Sequence, residues 1–121
     1  KTEVSKIKQN TETKDEQIAL TSNRILNYLS MASFMLVNAD LLNHNTDGAF
    51  KKIQIYELVD PDNPDVYLMY ARYYLLKGNR DLMVDNVHKA IEKGFDSWNQ
   101  YREDPNFSLL FNQPEILALS N

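Results

Sequence analysis

The two histidines are the side chains best suited to proton transfer or metal ligation, and neither has the company that such chemistry needs. His44 falls in a polar turn and His88 on a helical stretch, and no His-Glu-x-x-His pair occurs. Both therefore read as solvated surface residues. Asp60, Asp62, Asn63 and Asp65 offer closely spaced oxygens of the kind that bind calcium. A calcium loop beginning at Asp60 would need an oxygen ligand where Pro64 stands, glycine where Asp65 stands and glutamate where Ala71 stands. All three fail, and helix capping explains these residues better. The carboxylate pairs Asp15/Glu16 and Glu103/Asp104 sit at expected helix starts, where the backbone dipole favours them. No glycine-rich phosphate loop and no Gly-x-Ser-x-Gly elbow is present, and the serines lack a histidine partner. Asn106-Phe107-Ser108 matches a glycosylation acceptor, but Phe107 reads as a packing residue. With no cysteine, disulfides, thiolate metal sites and cysteine nucleophiles are excluded together. The expectation is a protein without catalytic residues, metal or cofactor, and not an enzyme.

What remains is architecture. The 121 residues suffice for one domain, and a 43% apolar share supplies a core. Net charge is −4, and the residues after Arg24 carry −5 of their own, spread without a basic cluster. That balance argues against a nucleic-acid partner. No uninterrupted apolar run approaches the roughly 18 residues that a membrane-crossing helix needs, so no transmembrane segment is expected. Three glycines and four prolines favour helices over a turn-rich β fold.

Residues 1–14 hold only Val4 and Ile7 as sizeable apolar groups and read as a flexible leader. Residues 15–121 read as a single helical domain. Thr13 and Glu16 form a candidate capping box for a first helix over about 15–43. Ile18, Ser22, Ile25, Leu29, Ala32, Leu36 and Ala39 recur at spacings of four and three, which is one helix face. Tyr28, Met31, Phe34, Met35 and Leu42 widen that stripe, so the helix is expected to be packed from two sides. Thr46 or Asp47 caps a second helix to about residue 59, with Ala49, Phe50, Ile53 and Tyr56 inward. Pro64 opens a third, capped by Asp62 or Asn63, in which Tyr67, Tyr70, Ala71 and Tyr74 form a buried stripe. Gly78-Asn79 ends it. A fourth helix over about 80–93 turns Met83, Val87, Ala90 and Ile91 inward and stops at Gly94. Short pieces then start at Ser97, Pro105 and Pro114.

Sliding the chain along itself until Ala49 lies on Met83 also lays Ile53 on Val87 and the turn His44-Asn45 on Gly78-Asn79. Tyr67-x2-Tyr70-Ala71-x2-Tyr74, then Met83-x3-Val87, then Ala90 and Phe95, resembles the tetratricopeptide repeat, whose period is the same offset. "LVDPDNPDVY" is similar to that family's inter-repeat junction, and the tail from Gly94-Phe95 to Pro114-Glu115-Ile116 is similar to its closing segment. Met83 stands where the family has a small residue and Phe95 where it has proline. The resemblance covers about residues 30–119, as one fair repeat and one degenerate one. It implies an all-α, right-handed array of helix–turn–helix units with a long N-terminal helix and short C-terminal capping helices.

The resemblance also implies a use. In this family the first helix of each pair lines a groove for a protein or peptide partner. Carried over, the groove positions are Asp65, Leu68, Met69, Arg72 and Leu76, and in the degenerate unit Met31, Phe34, Met35, Asn38 and Leu42. Arg72 is the polar residue best able to grip a carboxylate. The long helix or the tail could instead cover these positions. The leading expectation is a non-enzymatic protein-interaction module, the alternative is a self-associating helical domain of an envelope protein, a homodimer, and a small-ligand binder or enzyme comes last. A chain beginning at Lys1 with a Lys-rich leader suits an exported or lipid-anchored bacterial envelope protein, and equally a cytoplasmic one.

Overall fold

The computed structural model describes the backbone of residues 2–120 and the side chains of residues 14–120. Within them the protein is all-α, with no strand. Seven helices follow in order: α1 (Thr2–Leu42), α2 (Thr46–Val59), α3 (Pro64–Leu76), α4 (Arg80–Glu92), α5 (Trp98–Glu103), α6 (Ser108–Phe111) and α7 (Pro114–Leu119). α1 begins at Thr2 rather than near residue 15, so the backbone of the expected leader is helical from Thr2 and the Thr13/Glu16 capping box opens no helix; side chains are described from Lys14 on.

α1 packs on α2 and α3 packs on α4, giving two helical hairpins, and α3 also touches α1, α2 and α6. The two hairpin turns repeat each other bond for bond, at the offset read from the sequence. The Asn43 amide donates to the Ala39 carbonyl at 3.0 Å, as Lys77 does to Tyr73. The Asn45 amide reaches back to Asp40 at 2.8 Å, as Asn79 does to Tyr74 at 2.9 Å. Each turn passes through a left-handed residue, His44 at φ 58° and Gly78 at φ 75°, which is the usual way to end a helix. Asn45 and Asn79 then cap α2 and α4, their side-chain oxygens accepting from the amides of Gly48 and Leu82. The cap of α2 is thus Asn45, not Thr46 or Asp47: the cap oxygen reaches the amide of Gly48 one turn on, and Asn45 is the residue that leaves the helical conformation. For α3 the cap is Asn63, with Pro64 in the first turn.

A third unit starts in the same register. Trp98 at the head of α5 follows Pro64 by the same offset that separates the two turns, but α5 ends after six residues. The proline at 105 forces Asp104 into extended backbone, φ −72° and ψ 122°. The chain then folds back, and α6 lies against α3 while α7 touches α4 and α6. Arg80 at the start of α4 holds Glu115 of α7 in an ion pair. An aromatic cluster fixes the return: Phe95, Trp98, Tyr101, Phe107 and Phe111 stack edge-on or tilted at centroid distances of 4.8–6.4 Å.

The core is built from Val37, Leu41, Ala49, Ile53, Tyr56, Val66, Leu68, Met69, Ala71, Met83, Val87, Ala90, Phe107, Leu110, Phe111 and Ile116. Most of the expected inward residues of α2, α3 and α4 are among them. Phe50 is only half-buried, against Tyr70 and Tyr73, and Ile91 is exposed. Tyr67 is buried and Tyr70 and Tyr74 are half-buried, so the tyrosine stripe is mortar with one wet edge. Two of its hydroxyls are occupied: Tyr67 donates to the Pro61 carbonyl at 2.9 Å and Tyr70 to Glu57 at 2.7 Å.

The packed face of α1 differs from the expected one. Ser30, Phe34, Val37 and Leu41 turn towards α2 and α3, while Ile18, Ile25, Leu29 and Leu36 are exposed. α1 is therefore covered from one side, not two. Spacing alone cannot choose between two apolar stripes on one helix. The neighbouring helices chose the narrower one, where the small Ser30 lets α1 approach and donates to Asp60.

Candidate functional site

The residues expected to line a groove separate into three groups. Leu68 and Met69 are fully buried in the core. Met31 and Met35 lie on the outer, exposed side of α1, away from α3. Phe34, Asn38, Asp65, Arg72 and Leu76 come together along the junction of α1 and α3, with the C-terminal helices laid over them. Of the two arrangements the sequence leaves open, the inner face of α3 takes the covered one. Tyr101 of α5, and Phe107 beyond the break at Pro105, lie on the inner face of α3.

Each contact of that cover is specific. Tyr101 donates its hydroxyl to Asp65 at 2.6 Å. Phe107 packs on Phe34 at 6.1 Å between ring centroids and receives the Arg72 guanidinium over its face at 5.1 Å. Burial raises the Asp65 carboxyl above its ordinary range against the opposing Tyr101 hydrogen bond, with Asp60 and Asp104 pushing the same way as burial. A neighbouring knot completes the junction: Ser30 and Asn63 both donate to Asp60, and Asn63 also donates to the Tyr56 hydroxyl. Burial, the largest cause, raises Tyr56 and Tyr101, so both stay protonated donors or acceptors at neutral pH.

Arg72 is the centre of what remains open. It is 7% exposed, and burial lowers its guanidinium to about 10, with Asp104 opposing, so it is cationic at neutral pH. One terminal nitrogen donates to Asn38 at 2.7 Å and touches the Met69 sulfur at 3.4 Å. Asn38 and Arg72 are themselves 34 residues apart, the same position in successive units. The other guanidinium nitrogens have no protein partner among the described residues. Arg72 lines a cleft of about 160 Å³ walled by Leu41, Leu42, Leu75, Leu76, Leu109 and Leu110, with His44, Pro105 and Asn106 also lining it. A buried cation with spare donors in an apolar wall is suited to a carboxylate carried on an apolar segment.

Of the expected groove residues, Arg72, Leu76 and Leu42 line this cleft. Leu41, Leu75, Leu109, Leu110, Pro105 and Asn106 were not foreseen. A signal for two of them is present in the sequence: Leu41 and Leu42 stand one repeat before Leu75 and Leu76, so the last turns of both first helices form one apolar mouth.

A second surface is conspicuous. Lys14–Leu42 of α1 is long and apolar enough, by length and composition, to cross a membrane. Isolated polar residues such as Asn27, Ser30 and Asn38 break the apolar run but leave the average apolar. The C-terminal half of that segment is nevertheless tied to the body by Asn38–Arg72 and by the Asp40–Lys52 ion pair at 2.7 Å. A crossing would strip both contacts in a medium that cannot replace them.

Among the described residues no group of three His, Cys, Asp or Glu is placed to hold a metal ion. No protein-family model, no curated protein and no solved structure matches the chain.

Proposed function

We propose that the protein is a non-enzymatic, tetratricopeptide-like interaction module that holds a short apolar partner segment by a carboxylate in the cleft over Arg72. The observation that carries the reading is the Arg72 guanidinium, almost wholly buried, cationic, and with unused donors, on a residue that lines an apolar cleft. Support for the family reading is the repetition, one period apart, of helix ends, turn bonds, asparagine caps and the Asn38–Arg72 pair. The wide groove expected of such a module is filled here by Tyr101 and Phe107, which confines a ligand to the mouth between the ends of α1 and α3 and α6. A volume of about 160 Å³ admits one or two side chains and a carboxylate rather than a long peptide.

The test is a panel of short Leu- and Phe-rich peptides, each with a free C-terminal carboxylate and as the amide, titrated while the Arg72 side-chain Nε–H and the Leu76 and Leu109 methyl resonances are followed by NMR. A charge-assisted hydrogen bond contributes about 1.5–3 kcal/mol, so amidation or Arg72→Met should weaken binding at least about tenfold. A panel in which no acid peptide moves these resonances would sink the reading.

A further inference from the structure

The exposed stripe of α1 has the spacing of an interface. Ile18, Ser22, Ile25, Leu29, Ala32, Leu36 and Ala39 alternate steps of four and three along the helix, which is the seam of a coiled coil. The body of the protein attaches through Ser30, Phe34, Val37 and Leu41 on another side of the helix and leaves that seam open, Ala32 alone being half-buried. Every residue from Lys14 to Leu29 is exposed. From Ile18 to Ala39 neither the seam nor its flanks, Thr21, Tyr28 and Met35 on one side and Ala19, Leu26 and Ser33 on the other, carries a charged side chain.

The area is that of a stable dimer. On the seam and its flanks, Ile18, Ile25, Leu26, Tyr28, Leu29, Met35 and Leu36 are 40–64% exposed. Taking ~150–200 Å² for a large side chain, they present on the order of 600–750 Å². A typical monomer's largest apolar patch is about 300–600 Å², and a standard interface buries about 800 Å² per partner.

The sizes along the seam set the direction of the partner. Laid antiparallel about a centre at Leu29, a second copy brings Ser22 against Leu36 and Leu29 against itself, with Ile18 and Ile25 within one residue of Ala39 and Ala32. Every layer then pairs large with small or is filled by two leucines, which is how facing positions interdigitate. Laid parallel, Ser22, Ala32 and Ala39 would each face their own copy and leave three layers underfilled. We propose that α1 is the interface of an antiparallel homodimer with its two-fold axis at Leu29. The free half of each α1, from Ile18 to Leu29, covers the outer face of its partner's Leu29–Ala39, and the patch is self-complementary as a two-fold interface requires. The inference does not draw on the cleft over Arg72, and occupation of that cleft by a peptide leaves the dimer mass unchanged.

The experiment begins with mass by light scattering across about 1–200 µM protein. The expected species has twice the 14.1 kDa chain mass. Leu29→Glu should return it to the monomer with its circular dichroism retained, and Leu58→Glu, at the most exposed apolar site of α2, should leave the dimer intact. Because the chain has no cysteine, single cysteines report direction without background. An equimolar mixture of Ile18→Cys and Ala39→Cys chains, treated with a short bis-maleimide, should give the mixed cross-linked dimer, while either variant alone stays uncross-linked. Cross-linking of Ile18→Cys to itself would overturn the antiparallel register. A wild-type monomer throughout the range would overturn the dimer, and so would a monomer that binds phosphatidylcholine/phosphatidylglycerol vesicles through α1, which would make a lipid surface the occupant.

Discussion

α1 and α3 are the first helices of the two hairpins and stand 34 residues apart at their matching turns, yet one is largely bare and the other enclosed. Met35 is 62% exposed and Met69, its counterpart, is 0% exposed. Their inner contacts agree: Val37 and Ala71 are both fully buried, and Asn38 meets Arg72 directly. The difference lies on the outer side. α3 has α1 and α2 on one flank and the returning C-terminal helices on the other, whereas the outer flank of α1 meets nothing among the described residues of its own chain. A repeat's sequence sets its turn and its inner contacts; what its first helix buries in addition depends on the neighbour stacked against it.

The largest effect should come from cutting both methionines back. Met69→Ala removes a fully buried side chain and should cost about 2–5 kcal/mol, cavity included. Met35→Ala, at the same position of the other unit, should change the stability of the monomer by no more than about 0.5 kcal/mol. Urea unfolding at low protein concentration compares them. Equal costs would mean that Met35 is covered in solution even in the monomer, and the contrast between the two helices would fail.

The two turns offer a sharper comparison because their hydrogen bonds are alike and their left-handed residues differ. His44 sits at φ 58° and Gly78 at φ 75°. A side chain in that region costs about 1 kcal/mol. His44→Gly should therefore stabilise by about 0.5–1 kcal/mol, less the added chain entropy of glycine. Gly78→Ala should destabilise by about 1 kcal/mol. A Cβ at Gly78 would meet nothing within 4 Å, so the second effect reports the backbone alone. Both are read from the shift of the urea midpoint at constant slope.

Local features were the legible ones. Asn63 with Pro64, the Gly78-Asn79 break and the His44-Asn45 turn each announce a helix end through residues within a few positions of it, and α2, α3 and α4 lie within a residue or two of their expected bounds. The period was legible for the same reason, since the two turns repeat it. Covering was not legible. α1 carries apolar residues on two sides, so its pattern could not say which side the body would take. The resemblance puts Leu68 and Met69 in a groove because the inner face of a first helix faces one in a longer array. Here Tyr101, and Phe107 beyond the break at Pro105, lie on that face, which no local reading of residues 64–76 contains. Arg72 and Leu76 survived as cleft residues because the returning chain stops short of the helix ends.

The smallest effect bears on the same pair of helices through charge. Asp65 of α3 corresponds to Met31 of α1, one half-buried under Tyr101 and the other exposed. Burial raises the Asp65 carboxyl above its ordinary value of 3.8, so the folded chain holds this proton more tightly than the unfolded one. Its contribution to stability is then most favourable below that value and is lost as the pH rises through the folded value. Asp65→Asn keeps an acceptor for the Tyr101 hydroxyl and removes the buried charge. It should leave the protein more stable than wild type at pH 7, with the advantage shrinking towards pH 4. Met31→Asp places a carboxylate at the exposed counterpart and should add no such slope. Urea midpoints of the three proteins at pH 4, 5, 6 and 7 decide it. If wild type instead gains on Asp65→Asn as the pH rises, the Tyr101 hydrogen bond and the first-turn dipole outweigh burial at this site, and Asp65 is a stabilising cap rather than a charge held at a cost.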